Sequence, residues 1–175
     1  MSRALEIIRL KKFIPSATGL AGPGVYFWEV RNSLDFSKEL AKNWWRFASS
    51  PKNDVYKNDE NKALAIVKAN ITPASSEFFD ATDDSFLFTF SKIAEERCVA
   101  FKKDDLIKLK TAVVVDIEKE MGINFSVIKI NADVPGQQKG DPAPPGFYWF
   151  KKQATCFVVK NKIEEVIKDI ELIEA

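Results

Sequence analysis

Two stretches of this chain carry side chains whose types and spacing could do chemistry. The first, Ser16-Ala17-Thr18-Gly19-Leu20-Ala21-Gly22-Pro23-Gly24, is small and turn-rich, so its backbone can approach a ligand or another chain without Cβ interference. It runs into Val25-Tyr26-Phe27-Trp28-Glu29, and Trp44 follows on the next periodic segment. Three large rings, Tyr26, Trp28 and Trp44, therefore follow a close-approach loop. An aromatic strand beside a helix with Trp at core spacing is ordinary packing on its own. The second stretch lies near the C-terminus, where Gln153, Thr155 and Cys156 are the polar side chains of an apolar run. Cys156 is the nucleophile among them, but a thiol in an apolar strand has its pKa raised and stays protonated.

Composition narrows the chemistry further. The 175 residues contain no histidine, which removes Ser-His and Cys-His nucleophile pairs, His-based zinc sites and imidazole proton shuttling. Cys98 and Cys156 are the two thiols, too few for a zinc knuckle or a disulfide framework; buried reduced thiols are expected, with one bridge between them as the alternative. No metal is implied. Lys and Arg number 26 against 25 for Asp and Glu, so the net charge of +1 draws the protein neither to nucleic acid nor to anionic lipid. The apolar fraction of 46% with 29% charged residues is that of a globular chain, and the length fits one domain over 1–175. No apolar run approaches the ~20 residues of a membrane span, and charges at Glu6, Arg9, Lys11 and Lys12 interrupt any signal-peptide core. The expectation is a cytoplasmic protein without a membrane partner.

These residues must be positioned by recognisable elements. Ala4, Ile7, Ile8 and Lys11 fit a short amphipathic helix ending before Pro15, and Val25 to Glu29 reads as a strand. From Asp35, as cap, Phe36, Leu40, Trp44 and Phe47 share one face of a helix that ends near Ser49-Ser50-Pro51, with an exposed loop from Lys52 to Asn61. Ala63 to Ile71 and Glu77 to Asp80 read as strands. Thr82 or Asp83 opens a helix burying Phe86, Phe90 and Ile93, and a second runs from Asp104 to Met121 with Gly122 as its stop. Strands return at Phe125 to Ile130, Phe147 to Phe150 and Ala154 to Lys160. The proline-rich segment 134–146 predicts a long surface loop, and Asn161 to Ala175 predicts a turn or short helix burying Ile163, Val166, Ile167 and Ile170. The class is α+β.

The run Gly22-Pro23-Gly24-Val25-Tyr26-Phe27-Trp28-Glu29, followed by Glu39-Leu40-Ala41-Lys42-Asn43-Trp44-Trp45, resembles the ADP-ribosyltransferase-like family. There a glycine-led Gly-x-Tyr-Phe strand precedes a helix with Ala-x-x-Tyr or Ala-x-x-Trp. Ala4-Leu5-Glu6-Ile7-Ile8 and Phe13-Ile14-Pro15-Ser16 are similar to the helix and loop ahead of that strand. The resemblance implies split antiparallel β-sheets with flanking helices and NAD as a substrate. It places Ser16, Gly22, Gly24, Tyr26, Trp28 and Trp44 around that cofactor, Tyr26 and Trp44 stacking on its nicotinamide. It further implies transfer of ADP-ribose to a macromolecular acceptor, protein or nucleic acid, in a toxin or phage-defence role, with an antitoxin or completing partner chain.

The sequence departs from the family at two places. The His or Arg of the family's first strand has no match: either that strand is missing or Arg3 or Arg9 substitutes for its charge. On the closing strand, Phe157-Val158-Val159-Lys160-Asn161 looks like the family's run after its catalytic Glu, and the matching position is Cys156, with Gln153 nearby. A neutral thiol supplies neither the negative charge nor the hydrogen-bonding strength of a carboxylate beneath a developing oxocarbenium ion. Two further readings follow: a catalytically inactive interaction module on the same scaffold, or a small nucleic-acid-binding protein using the basic cluster Lys102 to Lys110 and the aromatic-basic run Tyr148 to Lys152. The acidic pairs Asp83-Asp84, Glu95-Glu96 and Asp104-Asp105 read as solvated helix-end charges.

Overall fold

The computed structural model describes residues 13–17, 19, 21–31, 33–53, 55, 63–97, 103–134 and 153–174. Strand β1 (Val25–Trp28) is followed by helix α1 (Leu34–Ser49), strand β2 (Ile66–Ile71), and a 3-10 turn (Ser75–Glu77) that leads into β3 (Phe78–Asp80). Helices α2 (Asp84–Arg97) and α3 (Lys103–Met121) precede β4 (Val127–Asp133) and β5 (Gln153–Val159); a single turn α4 (Ile163–Val166) then gives way to β6 (Ile167–Glu174). The architecture is mixed α+β with two separate sheets, ordered β1-β5-β4-β3 and β2-β6.

The larger sheet has two buried faces, and strand alternation decides what lies on each. Tyr26, Trp28, Phe79, Ile128, Ile130, Ala132, Cys156 and Val158 point to one side, where Val114 and Ile117 of α3 and Phe86 of α2 cover them. This covering follows from topology: β3 and β4 pair in parallel, so the chain between them must cross over, and α2 and α3 are that crossover. Val25, Phe27, Phe78, Val127, Phe157 and Val159 point to the other side, against Ala69, Ile71, Ile167 and Ile170 of the smaller ladder and Val166 of α4. The β4–β5 ladder pairs Val127 with Val159 through Asp133 with Gln153 without a register shift.

Local signals account for most element ends. Asp83 Oδ1 accepts from the amides of Ser85 (3.0 Å) and Phe86 (3.3 Å), so it caps α2 as expected. Helix α3 stops at Gly122, where the Gly122 amide donates to the Lys119 carbonyl and the Ile123 amide to that of Glu118, a Schellman motif. For α1 the cap is Ser33, whose hydroxyl accepts from the Phe36 amide at 3.1 Å, rather than Asp35.

Two expectations are corrected. The face of α1 turned inward carries Ser37, Leu40 and Ala48, while Phe36, Trp44 and Phe47 remain 47%, 44% and 41% exposed. Small residues let the helix come close enough for Ser37 Oγ to donate to the Glu29 carbonyl at 3.0 Å, an approach that a phenylalanine or tryptophan there would prevent. The segment after Lys160 forms only one helical turn. Its remainder pairs with β2 as β6, since β2 stands apart from the larger sheet and its backbone groups need a partner. Asp169, at φ 49, takes up a register irregularity in that ladder, and Asn70 Nδ2 donates to its carboxylate at 2.8 Å. The expected helix at 4–11, the strand 147–150 and nearly all of the loop 134–146 lie outside the described residues.

Candidate functional site

The glycine-rich loop is tied at its neck by a two-bond bridge: the Ser16 amide donates to the Gly24 carbonyl at 2.8 Å, and the Gly24 amide to the Ser16 carbonyl at 3.0 Å. Gly24 is required where it stands, because a Cβ there would lie 2.8 Å from Val158 Cγ1 and 2.9 Å from the Val159 carbonyl oxygen. Within the loop, the Tyr26 hydroxyl donates to the Gly22 carbonyl at 2.6 Å and accepts from the Ala21 amide at 3.3 Å. The ring packs so closely on Gly19 that any side chain at that position would overlap it. Burial pushes the Tyr26 phenol up from its ordinary pKa, against the Ala21 amide that favours the ionised form. The phenol therefore works as a neutral brace that fixes the shape of the loop.

Next to this loop the closing strand runs antiparallel to β1, pairing Tyr26 with Val158 and Trp28 with Cys156. Cross-strand partners share a face, so Trp28 and Cys156 both point to the side covered by α2 and α3. Cys156 is a free thiol, 3% exposed, and burial drives its pKa up to about 12. It is uncharged at neutral pH and unable to act as a nucleophile or an anion. Gln153 sits at the exposed start of the strand, and its amide donates to Asp133 at 3.4 Å. Thr155 is half-buried, and its carbonyl accepts from the Glu29 amide at 3.0 Å.

Trp44 stands apart from this cluster. Its ring packs on Phe47 with centroids 5.7 Å apart. Among the described residues no ring contact joins it to Tyr26, and the nicotinamide-clamping pair implied by the resemblance is not in contact. Helix α1 is held near its start by Ser37 to Glu29 and at its middle by Lys42 to Glu174 at 2.9 Å. These contacts direct it along the side of both sheets.

The remaining sequence-level candidates separate in the same way. Of the basic cluster 102–110, Lys108 is exposed, while Lys110 lies half-buried with its ammonium 5.6 Å from the centroid of Phe90. The aromatic-basic run Tyr148 to Lys152, together with Cys98, Arg3 and Arg9, lies outside the described residues. Among the described residues no cluster of three or more Cys, Asp or Glu side chains could hold a metal ion.

Two polar assemblies went unforeseen because their members are far apart in sequence. Glu118, 8% exposed near the end of α3, accepts from Lys160 Nζ at 2.7 and 2.9 Å and from the Phe125 amide at 2.8 Å. Beside it, Glu77 accepts from the Ser126 hydroxyl and from Lys162 Nζ, which together hold its carboxyl below the usual range. Burial works to raise the Asp80 carboxyl, but the hydroxyl and amide of Thr82 and the ammonium of Lys129, 3.2 Å away, outweigh it and keep it low. An open cleft of about 480 Å³ lies between β3, the first turns of α2 and Ile117, with Phe79 and Phe86 as its apolar lining and Asp80 and Asp83 at its rim. Neither Tyr26 nor Trp44 borders it.

The chain matches no family model, and no curated protein and no solved structure matches it. Among the described residues no helix is long and apolar enough to cross a membrane.

Proposed function

We propose that this chain is an ADP-ribosyltransferase-like module that binds NAD without catalysing transfer and uses that binding to engage a macromolecular partner. The sequence resemblance supports the scaffold. So does the pairing of the glycine-led strand β1 with the closing strand β5, in a molecule whose second ladder is separate from the first. The observation that carries the inactive half of the reading is Cys156. Bond cleavage between nicotinamide and ribose builds positive charge on the sugar, which a fixed carboxylate offsets. The position matching that carboxylate holds a buried thiol whose pKa lies near 12, and the neighbouring amide, Gln153, is neutral and directed to Asp133. Trp44, with much of its ring in solvent, remains free to stack on a flat heterocycle.

The test is a thermal melt with and without NAD, run beside a nicotinamide-release assay on the same purified chain. A ligand at a hundred times its Kd stabilises by about 2.7 kcal/mol, a Tm rise of roughly 5–10 °C for a domain of this size. The expected result is such a rise with no nicotinamide released, and with Trp44→Ala weakening NAD by about two- to tenfold through the lost stacking. Release of nicotinamide would show that the chain cleaves NAD and overturn the inactive reading. No rise at saturating NAD would overturn the resemblance itself.

A further inference from the structure

Phe36, Trp44 and Phe47 of helix α1 each leave more than two-fifths of their surface in solvent. Phe36 and Phe47 stand eleven residues, or three helical turns, apart, so they fall on one line along the helix, and Trp44 packs on Phe47 at 5.7 Å. The helix is already anchored through Ser37, Leu40 and Ala48, so these rings are surplus to its own packing. Beside the aromatic line runs a second line of exposed charges, Asp35, Glu39 and Arg46, which share a side at spacings of four and seven residues. Its two acids stand in the first half of the helix and its base in the second. Lys42 is drawn to Glu174 at 2.9 Å and to Glu39 at 3.4 Å, whereas Arg46 donates to the neutral Asn43 at 3.0 Å.

We propose that a second copy of the chain docks on this face, the two α1 helices packing antiparallel across a twofold axis near the middle of the helix. Such an axis makes the interface self-complementary and sets each flank against its own reverse. Phe36 of one copy then meets Phe47 of the other, and Arg46 of one comes between Asp35 and Glu39 of the other, each contact occurring twice. A line that carries both signs suits the same helix reversed; an anionic lipid surface or a nucleic-acid backbone is repelled by its acidic half. The opposed helix dipoles act in the same direction. Rings of this size have ~150–250 Å² to bury, so with these exposures the three offer roughly 250 Å² per protomer. Interfaces are about 57% apolar, which puts the total near ~900 Å², at the low end for a specific contact and fitting a weak, concentration-dependent dimer. The pairing rests on nothing in the NAD reading, although both draw on Trp44 and therefore exclude each other at that ring.

Sedimentation velocity of the intact chain without NAD tests this. The 19.8 kDa monomer is expected at about 1 μM and a shift toward twice that mass by about 300 μM, the range in which an interface of this size associates. Glu39→Lys and Arg46→Glu are exposed substitutions that leave the fold intact by circular dichroism, and each sets like charges together twice. Either alone should raise the dimer Kd at least tenfold. An equimolar mixture of the two should recover association, because the introduced lysine then meets the introduced glutamate while native Arg46 meets native Glu39. Phe47→Ser should weaken the wild-type dimer as well. A monomer at every concentration, a dimer indifferent to Phe47→Ser or to both charge reversals, or a mixture that stays monomeric would each overturn the proposal.

Discussion

Removing the carboxylate of Glu118 should unlatch the closing strand from helix α3. The side chains of Glu118 and Lys160 are 10% and 20% exposed, well below those of a solvated surface pair. Exposed pairs contribute ~0–1 kcal/mol, whereas deleting one partner of a buried pair costs about 3–5 kcal/mol because the other charge is left without compensation. The tip of Lys160 retains some solvent, which puts this pair at the lower end of that range. Glu118→Ala also strands the buried Phe125 amide, a loss of ~1–3 kcal/mol where no other acceptor is found. These contributions overlap, and the expected destabilisation is about 3–4 kcal/mol, or a fall in Tm of roughly 6–15 °C. Urea denaturation should show a lowered midpoint with an unchanged slope. Glu118→Gln keeps an acceptor for the amide and should cost less than Glu118→Ala. The pair Glu118→Leu with Lys160→Met removes both charges and should recover all but the share of the orphaned amide, ~1–3 kcal/mol. A cost below ~1 kcal/mol for Glu118→Ala would refute the reasoning and place the pair among surface bridges.

Gly24→Ala should destabilise by about 1–3 kcal/mol in the same assay, because the backbone carbonyl of Val159 cannot move away from the added methyl without disturbing the ladder; a neutral outcome would mean that β1 and β5 are further apart. Cys156 should be inert to thiol reagents in the folded protein and react only on unfolding. Its raised pKa also sets a sign: the unfolded thiol ionises near its ordinary value while the folded one holds its proton to about 12, so stability is full below that ordinary value and falls as pH climbs toward 12, by at most ~1.4 kcal/mol per pH unit. Cys156→Ala should remove that part of the alkaline slope, and an unchanged slope would show that the thiol is not held protonated.

Where physics is local, the sequence already declared the structure. The aromatic and β-branched run after Gly24 forms β1, Asp83 caps α2, and Gly122 ends α3 by the hydrogen bonds that its position foretold. Periodicity misled in two places. The aromatic stripe of α1 has the spacing of a core face, yet Ser37 and Ala48 turn inward beside Leu40, with Ser37 close enough to bond the carbonyl that follows β1. Ile163, Val166, Ile167 and Ile170 have helical spacing, yet the need of β2 for a partner draws most of that segment into a strand. As to the site, the buried and unreactive character of Cys156 could be read from its apolar neighbours. The separation of Trp44 from Tyr26 could not, since it depends on the path α1 takes past both sheets. Glu118 and Lys160, 42 residues apart, carry no short-range signal that either is the other's partner.

The order of strands in the larger sheet has a bearing on how the molecule comes into being. β5 lies in the interior of that sheet, between β1 and β4, although it is the last of the four to be synthesised. Until the ribosome has passed Val159, both neighbours lack the strand to which they bond, and β2 likewise waits for residues 167–174. Such distant pairings slow folding and leave sticky edges open meanwhile. A nascent chain stalled before β5 is thus a natural client for chaperones, and one released there a seed for aggregation.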